Sequence, residues 1–295
     1  MTEQGYFTES DSAQVVVSRN ANAKSARLAQ VMAALIPHLH AAIKEIEPTQ
    51  AEWFDAIMFL TRTGQISNEW RQEWILLSDT MGVSMLVDAI NNRKPSGASE
   101  STVLGPFHLP DAPELPLGAD ICLDQKGDPM LVKGRILALD GTPIPHAKLD
   151  VWQANDEGFY DVQQKGIQPD FNLRGVFRTN AAGEYWFKGV KPKFYPIPAD
   201  GPVGQLMDLL GRHPFRPAHL HYIISADGFD TLTTHIFDPD DPYIHSDAVF
   251  GVKQSLMARF EPVTDPARQA AAGYAGAYYE VAHDFVLAPA KASAI

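Results

Sequence analysis

The stretch Pro217-Ala218-His219-Leu220-His221-Tyr222-Ile223-Ile224-Ser225 reads as a β-strand from His219 onward, rich in aromatic and β-branched residues. Side chains two apart on a strand point to one face, so the imidazoles of His219 and His221 project together. That is ligand geometry for a metal. The pair alone is equally compatible with coincidence, because the chain has 10 histidines and histidine is of intermediate burial in folded proteins. The other ligands of a metal site must come from elsewhere in the chain.

Outward from this strand the pattern repeats. Thr231 to Phe237 follows across a turn at Asp227-Gly228, and Val176 to Thr179 and Glu184 to Phe187 flank Asn180-Ala181-Ala182-Gly183 as a predicted hairpin. Leu131 to Leu139 ends in the turn Asp140-Gly141, while Ala147 to Trp152, Lys253 to Phe260 and Tyr278 to Leu287 complete the set of short strands. Strands do not alternate with helices, so a parallel dinucleotide-binding sheet is not expected and an antiparallel sandwich is the economical arrangement. The segment from Tyr195 to Pro217 is rich in Pro and Gly and lacks a clear strand; loops of that length are functional or disordered.

The N-terminal third follows a different period. Residues 1–21 lack periodicity and are expected to form a loosely held arm. Leu28, Val31, Met32, Leu35, Leu39, Ile43 and Ile46 recur at three- and four-residue spacing, an amphipathic helix whose apolar stripe packs either internally or on a second chain. Thr49-Gln50-Ala51-Glu52 has the form of a capping box opening a helix with Trp53, Ile57, Leu60 and Thr61. Ser67-Asn68-Glu69 starts another through Trp70, Trp74, Ile75 and Leu77, and Val83 to Ile90 continues as a further piece. A polar, turn-rich stretch from Asn91 to Gly97 marks the change of period. The expected class is α+β: a helical N-terminal dimerisation or linker domain over residues 1–105, then an antiparallel β-sandwich catalytic domain over 106–295.

A chain of 295 residues with 45% hydrophobic content buries a core. Its 24 basic against 36 acidic residues, a net charge of −12, argue against nucleic acid or an anionic membrane as partner and for a small molecule. Cys122 is the only cysteine, which excludes an internal disulfide and a cysteine-based zinc or iron–sulfur site. No apolar stretch of signal or membrane length follows the polar start Met1-Thr2-Glu3-Gln4-Gly5, so a soluble cytoplasmic protein is expected. A Gly-rich dinucleotide fingerprint is absent from the sequence.

Two tyrosines are the candidate companions of the histidines. Tyr160 closes Asn155-Asp156-Glu157-Gly158-Phe159-Tyr160 just after a strand, and Tyr195 sits in Lys193-Phe194-Tyr195-Pro196-Ile197-Pro198. Singly, each also fits a sandwich tyrosine with its ring in the core and its hydroxyl at the edge. Together with the histidine pair, the chain resembles the intradiol aromatic-ring-cleaving dioxygenases, a family of non-haem iron(III) enzymes. The resemblance covers most of the chain. It is carried by Leu149-Asp150-Val151-Trp152-Gln153-Ala154-Asn155, Tyr160-Asp161, Asn172-Leu173-Arg174-Gly175, Gly183-Glu184-Tyr185, Asp200-Gly201-Pro202 and above all the run from Gly211 to His221.

The resemblance implies one Fe(III) per subunit held by Tyr160, Tyr195, His219 and His221, with a diol bound as a dianion that displaces Tyr195. Phenolate is a hard anionic donor that favours the ferric state, and with an unperturbed tyrosine pKa of about 10 only a bound cation keeps two phenolates ionised at neutral pH. Arg216 is then the residue expected to stabilise negative charge developing on the substrate carbon. His235 is assigned to the catalytic set, at a place where catechol-type members usually carry glutamine. Within the family several stretches look most like hydroxyquinol 1,2-dioxygenases, whose pocket role falls here on Leu76, Asp79, Val103, Leu104, Gly105, Pro106, Phe107, Ile197, Pro198 and Val249. Asp79 has a physical rationale as acceptor of the substrate's third hydroxyl, and an alternative one as cap of the helix around Val83. Homodimerisation through the stripe from Leu28 to Ile46, with a lipid in a tunnel between subunits, is likewise implied by the resemblance.

Catechol or chlorocatechol cleavage is the alternative within the family. A zinc metallohydrolase on the histidine pair is a more distant reading, against which phenolates are unusual zinc ligands. A non-catalytic sandwich binding module leaves the two tyrosines and Arg216 without a reason.

Overall fold

The computed structural model describes residues 6–69 and 71–290. The chain divides into two compact units, one up to Gln65 and one from Ile66 onward.

The first unit is helical: α1 (Ser12–Ser18), α2 (Ala26–Ile46) and α3, which begins at Gln50 and ends at Ile66. Helix α1 lies where an arm was expected; its apolar residues are the consecutive Val15, Val16 and Val17, which carry no helical period, and its start is organised by Thr8 accepting from the Asp11 amide at 3.2 Å. Ser25 caps α2 by accepting from the Leu28 amide at 3.2 Å. The expected capping box of α3 is present: Glu52 accepts from the Thr49 amide at 2.8 Å and Thr49 Oγ1 from the Glu52 amide at 3.2 Å.

The second unit opens with α4 (Glu73–Thr80) and α5 (Val83–Asn91). Helix α4 starts later than the sequence suggests, because Asn68 Oδ1 takes the Arg71 amide at 2.8 Å and turns the chain; Trp70 lies outside the described residues. There follow β1 (Pro129–Ala138), β2 (Lys148–Gln153), β3 (Arg174–Arg178), β4 (Glu184–Val190), β5 (Tyr195–Pro196), α6 (Pro202–Leu209), β6 (Phe215–Arg216), β7 (His219–Ser225), β8 (Leu232–Phe237), β9 (Glu261–Val263), α7 (Pro266–Ala272), β10 (Tyr278–Ala282) and β11 (Phe285–Leu287). One sheet has the order β11-β1-β10-β9 with β4 also on β1, and the other has the order β3-β2-β7-β8. Their inner faces form one core, with Met130, Val132, Ile136 and Phe187 from the first sheet meeting Leu149, Val151, Leu220, Tyr222, Ile224 and Ile236 from the second.

The α+β sandwich is the class the sequence indicates, with four local differences. Strands β3 and β4 do not pair as a hairpin; they lie in different sheets, and Asn180 to Gly183 turns the corner between them. Residues 253–260 are not a strand: Leu256, Ala258 and Phe260 alternate inward, yet only a single bridge, Phe237 to Met257, joins the segment to a sheet, and a short 3-10 turn interrupts it at Gln254–Leu256. The expected strand over 278–287 is two, because the chain steps at Asp284, whose carboxylate accepts from the Arg135 amide at 2.8 Å; both pieces run parallel to β1. The loop over 195–217 contains α6 and the two-stranded ribbon β5–β6.

Candidate metal centre

Alternation along the second sheet explains where the site forms. Leu220, Tyr222 and Ile224 of β7 face the core, so His219 and His221 face outward from the sandwich. Register then builds a row across three strands: Trp152 of β2 opposes His221, which opposes His235 of β8. The Trp152 ring stacks on His221 with centroids 4.6 Å apart and planes at 13°. Although this is the outer face of the sheet, His219 and His221 are buried and His235 has no exposed surface.

Tyr160 reaches the row from the loop after β2. Asn155 Oδ1 accepts from the Glu157 and Phe159 amides at 3.0 and 2.9 Å, and Gln163 Oε1 accepts from the Tyr160 amide at 2.9 Å, so side chains set a backbone that no sheet ladder holds. Tyr195 arrives on β5, in register with Arg216 of β6. Four donor atoms converge. Tyr160 Oη lies 2.8 Å from His221 Nε2 and 3.2 Å from Tyr195 Oη; Tyr195 Oη lies 3.4 Å from His219 Nε2; and the two Nε2 atoms are 3.1 Å apart.

These atoms suit a metal. Ligands bound at about 2.0–2.1 Å to one ion sit about 2.8–3.4 Å from one another, the separations found. His219 Nδ1 donates to the Pro217 carbonyl at 2.7 Å, which leaves the Nε2 lone pair turned to the centre. Burial first, and then Arg216, pushes the His219 pKa down to about 3; burial and then His219 hold His221 well below its ordinary value. Both imidazoles are therefore neutral, as ligands must be. Burial first, then Tyr195, holds Tyr160 well above the ordinary tyrosine range, so its ionisation requires a cation.

Arg216 Nη1 stands 3.3 Å from His219 Nε2. His235 lies with its ring 4.1 Å from that of His221 and 4.7 Å from that of His219, and neither of its nitrogens has a hydrogen-bond partner. The Val103 backbone favours the charged form of His235 without meeting hydrogen-bond geometry. Burial, then the two neighbouring imidazoles, outweighs it and holds the His235 pKa well below its ordinary value.

The residues expected to line a pocket fall in three groups. Leu76, Val103, Ile197 and Val249 pack together with Met207 and Ala248. Phe107 stacks on Tyr160 at 4.6 Å, and Gly105, at φ 77°, lies so close that a Cβ there would be 2.9 Å from His221 Cε1; only glycine fits. Asp79 stands where Arg216 and Asp247 both act on its charge; burial, its largest influence, raises its carboxyl pKa. Helix α5 is capped by Gly82, without a side-chain hydrogen bond, so Asp79 is not its N-cap. Leu104, Pro106 and Pro198 are exposed.

Residues not singled out for a role by the sequence complete the surroundings. Arg174, buried, donates from Nε and Nη2 to Asp161 Oδ1 at 2.8 and 2.5 Å and from Nη1 to the Phe107 carbonyl at 2.7 Å, tying the segment over Tyr160 to its neighbour Asp161. Asp247 pairs with Arg216 across 31 residues of sequence. Nothing local in the sequence shows which cation the buried Asp247 carboxylate will meet. Glu73, buried, accepts from the Val203 amide at the start of α6 at 3.1 Å and pairs with Arg71, which docks α4 so that Leu76 and Asp79 reach the site.

Residues 113–289 match the family described as Dioxygenase, and residues 25–99 match Catechol dioxygenase N terminus. The chain is 67% identical to a hydroxyquinol 1,2-dioxygenase of a Rhizobium species, over 97% of both chains. It is 44% identical to a 6-chlorohydroxyquinol 1,2-dioxygenase of Cupriavidus pinatubonensis, over 93% of this chain and 95% of that one. The crystal structure of the hydroxyquinol 1,2-dioxygenase of Pseudomonas putida DLL-E4 superposes with a TM-score of 0.91 at 44% identity, covering 96% of this chain and 99% of that one. Four converging phenol and imidazole donors, the sandwich that presents them and these matches lead to one conclusion: the chain belongs to the intradiol ring-cleavage dioxygenases, a family of non-haem iron enzymes.

Proposed function

We propose that this dioxygenase acts on hydroxyquinol (benzene-1,2,4-triol), cleaving the ring between its two adjacent hydroxyl-bearing carbons to give 3-hydroxy-cis,cis-muconate, the tautomer of maleylacetate. The observation that carries the substrate is Asp79, a half-buried carboxylate within reach of the Arg216 and Asp247 charges. Such a group accepts a hydrogen bond from a third hydroxyl, and a site built to do so rejects diols lacking it. The 67% identity to a hydroxyquinol 1,2-dioxygenase supports the same reading.

In this proposal Tyr160, Tyr195, His219 and His221 hold one Fe(III) per subunit. When bound, the ion keeps the phenolates deprotonated and withdraws electron density from the diol ring, making it reactive toward O2. The chain supplies the rest. Tyr195 would be the ligand that yields to the diol, its Oη taking up a diol proton, while Tyr160 is held under the Phe107 ring. Arg216 directs Nη1 at the centre and stabilises negative charge on the ring carbon. His235 backs the two ligand imidazoles on their buried side. Leu76, Val103, Ile197 and Val249 form the apolar wall, Gly105 and Phe107 the segment over the ligands, and Leu104, Pro106 and Pro198 the exposed rim.

The proposal extends to a cytoplasmic homodimer formed through the N-terminal helices, with residues 1–105 as the dimerisation part, 106–295 as the ring-cleaving part and a lipid lodged between subunits. Oxygen uptake with benzene-1,2,4-triol, catechol and 4-chlorocatechol side by side tests the substrate. The triol is expected to exceed both others in kcat/KM by about tenfold or more; faster turnover of catechol overturns the substrate and leaves the chemistry standing.

A further inference from the structure

Arg216 is buried, and its guanidinium is gripped along one edge. Nε donates to Asp247 Oδ1 at 3.1 Å and Nη2 to Oδ2 at 3.3 Å. Asp247 is itself held by its own loop, Oδ1 accepting from the Val249 amide at 3.3 Å and Oδ2 from the Gly251 amide at 2.8 Å. Each carboxylate oxygen thus serves two donors, and the carboxylate cannot rotate without losing backbone partners. Only Nη1 is left over, and it is the nitrogen that faces the metal ligands, 3.3 Å from His219 Nε2. The loop closes on the pair because Gly251 lacks a side chain: a Cβ there would be 2.9 Å from Arg216 Nη2 and 3.1 Å from Asp247 Oδ2. From the other side Thr102 Oγ1 donates to the Gly251 carbonyl at 3.1 Å and pins the loop.

We propose that Asp247 is a positioning residue for ring cleavage, holding the Arg216 fork by its Nε–Nη2 edge so that Nη1 alone points at the reacting ring. The inference rests on the charge-stabilising role assigned to Arg216 above. An unanchored arginine is long and rotamer-rich, and a guanidinium that swings away delivers no charge to the transition state. A buried pair with bidentate geometry fixes the direction. It also compensates an arginine charge that would otherwise be buried unpaired.

The test uses the full-length, iron-loaded enzyme. Asp247→Asn keeps the side-chain size and one acceptor oxygen. Its kcat on benzene-1,2,4-triol is expected to fall about 10- to 100-fold, the scale of losing one oriented electrostatic group. KM, anaerobic titration with the triol, iron content and the phenolate charge-transfer band are expected to stay within about threefold of the parent, because binding and ligation are untouched. Arg216→Gln should fall comparably, and the double variant no further than Arg216→Gln alone, since residues acting as one unit are non-additive.

A kcat within about twofold of the parent for Asp247→Asn, fully additive losses in the double variant, or loss of iron and colour would each overturn the positioning role. An active Arg216→Gln would instead overturn the role of Arg216, a separate outcome. If Asp247→Asn does not accumulate as folded protein, Asp247→Glu carries the test. It keeps the charge but displaces the carboxylate by one methylene, so kcat is expected to fall about tenfold with iron retained, and full activity overturns the proposal.

Discussion

Asp79 carries a cost in stability that its proposed part in substrate selection would account for. Burial, its first influence, raises the carboxyl pKa, the nearby Asp247 charge adds to this, and Ser84 and Arg216 only partly oppose it. With the folded pKa above the unfolded one, the folded state binds more protons in the window just above the ordinary carboxylate value. The stabilising contribution of Asp79 is therefore complete below that value and is lost as pH rises through the folded pKa. At neutral pH the charged side chain is a cost the fold tolerates. Replacing it with Asp79→Asn is expected to raise stability relative to the parent at pH 7, with the gain shrinking as pH falls toward 4, as read by urea unfolding at several pH values. Asp79→Ala is expected to move the triol-to-catechol kcat/KM ratio toward catechol by about tenfold or more, since the site then no longer rewards the third hydroxyl. Equal losses on both substrates would mean that Asp79 only supports α4.

At the scale of elements, β7 is both core strand and platform for the proposed histidine ligands, and its alternation keeps the two jobs apart. Leu220, 1% exposed, points between the sheets while its neighbours His219 and His221 point to the site. Leu220→Ala is expected to destabilise the protein by about 2–5 kcal/mol through the cavity it leaves, shifting the urea midpoint at unchanged slope. The charge-transfer band at saturating iron should be unaltered; a band lost in proportion to stability would show that the two faces are coupled. The same alternation made β7 legible in the sequence, and the turn at Asp227-Gly228 made β8 legible as its partner. Asn180 to Gly183 was misleading because hairpin and sheet corner use the same turn chemistry, and the difference lies in which sheet each flanking strand joins. Residues 253–260 alternate like a strand but lack a partner to complete a ladder, a fact fixed by distant sequence. The candidate ligand tyrosines were recognisable only through resemblance, since Tyr160 and Tyr195 look like ordinary sandwich tyrosines until the loops bring them together. Asp247 meets Arg216 only in three dimensions, so nothing local in the sequence shows that pairing.

At the scale of the whole molecule, what remains open in the architecture is the surface of α2. Leu28, Val31, Leu35, Leu39, Ile43 and Ile46 are each between 40 and 68% exposed, and they recur along one face of a 21-residue helix. Single exposed apolar residues need no explanation, whereas a continuous stripe of this length is the kind of surface that serves as an interaction site. Among the described residues no helix is long and apolar enough to cross a membrane; in the proposed homodimer a second copy would cover the stripe in a contact self-complementary about a two-fold axis. Leu35 and Leu39 sit four residues apart and so share one patch. The double substitution Leu35→Glu, Leu39→Glu places like charges on both sides of such an interface and is expected to convert a dimer into a monomer in sedimentation velocity. It should leave iron content and the charge-transfer band intact, because every proposed ligand lies on β5, β7 or the loop after β2 in the second unit. Any lipid that copurifies with the parent, detected by mass spectrometry of a solvent extract, should be lost in the same variant. A protein that is already monomeric before substitution would remove both the dimer and the lipid from the proposal, while leaving the metal centre and its substrate to stand on their own tests.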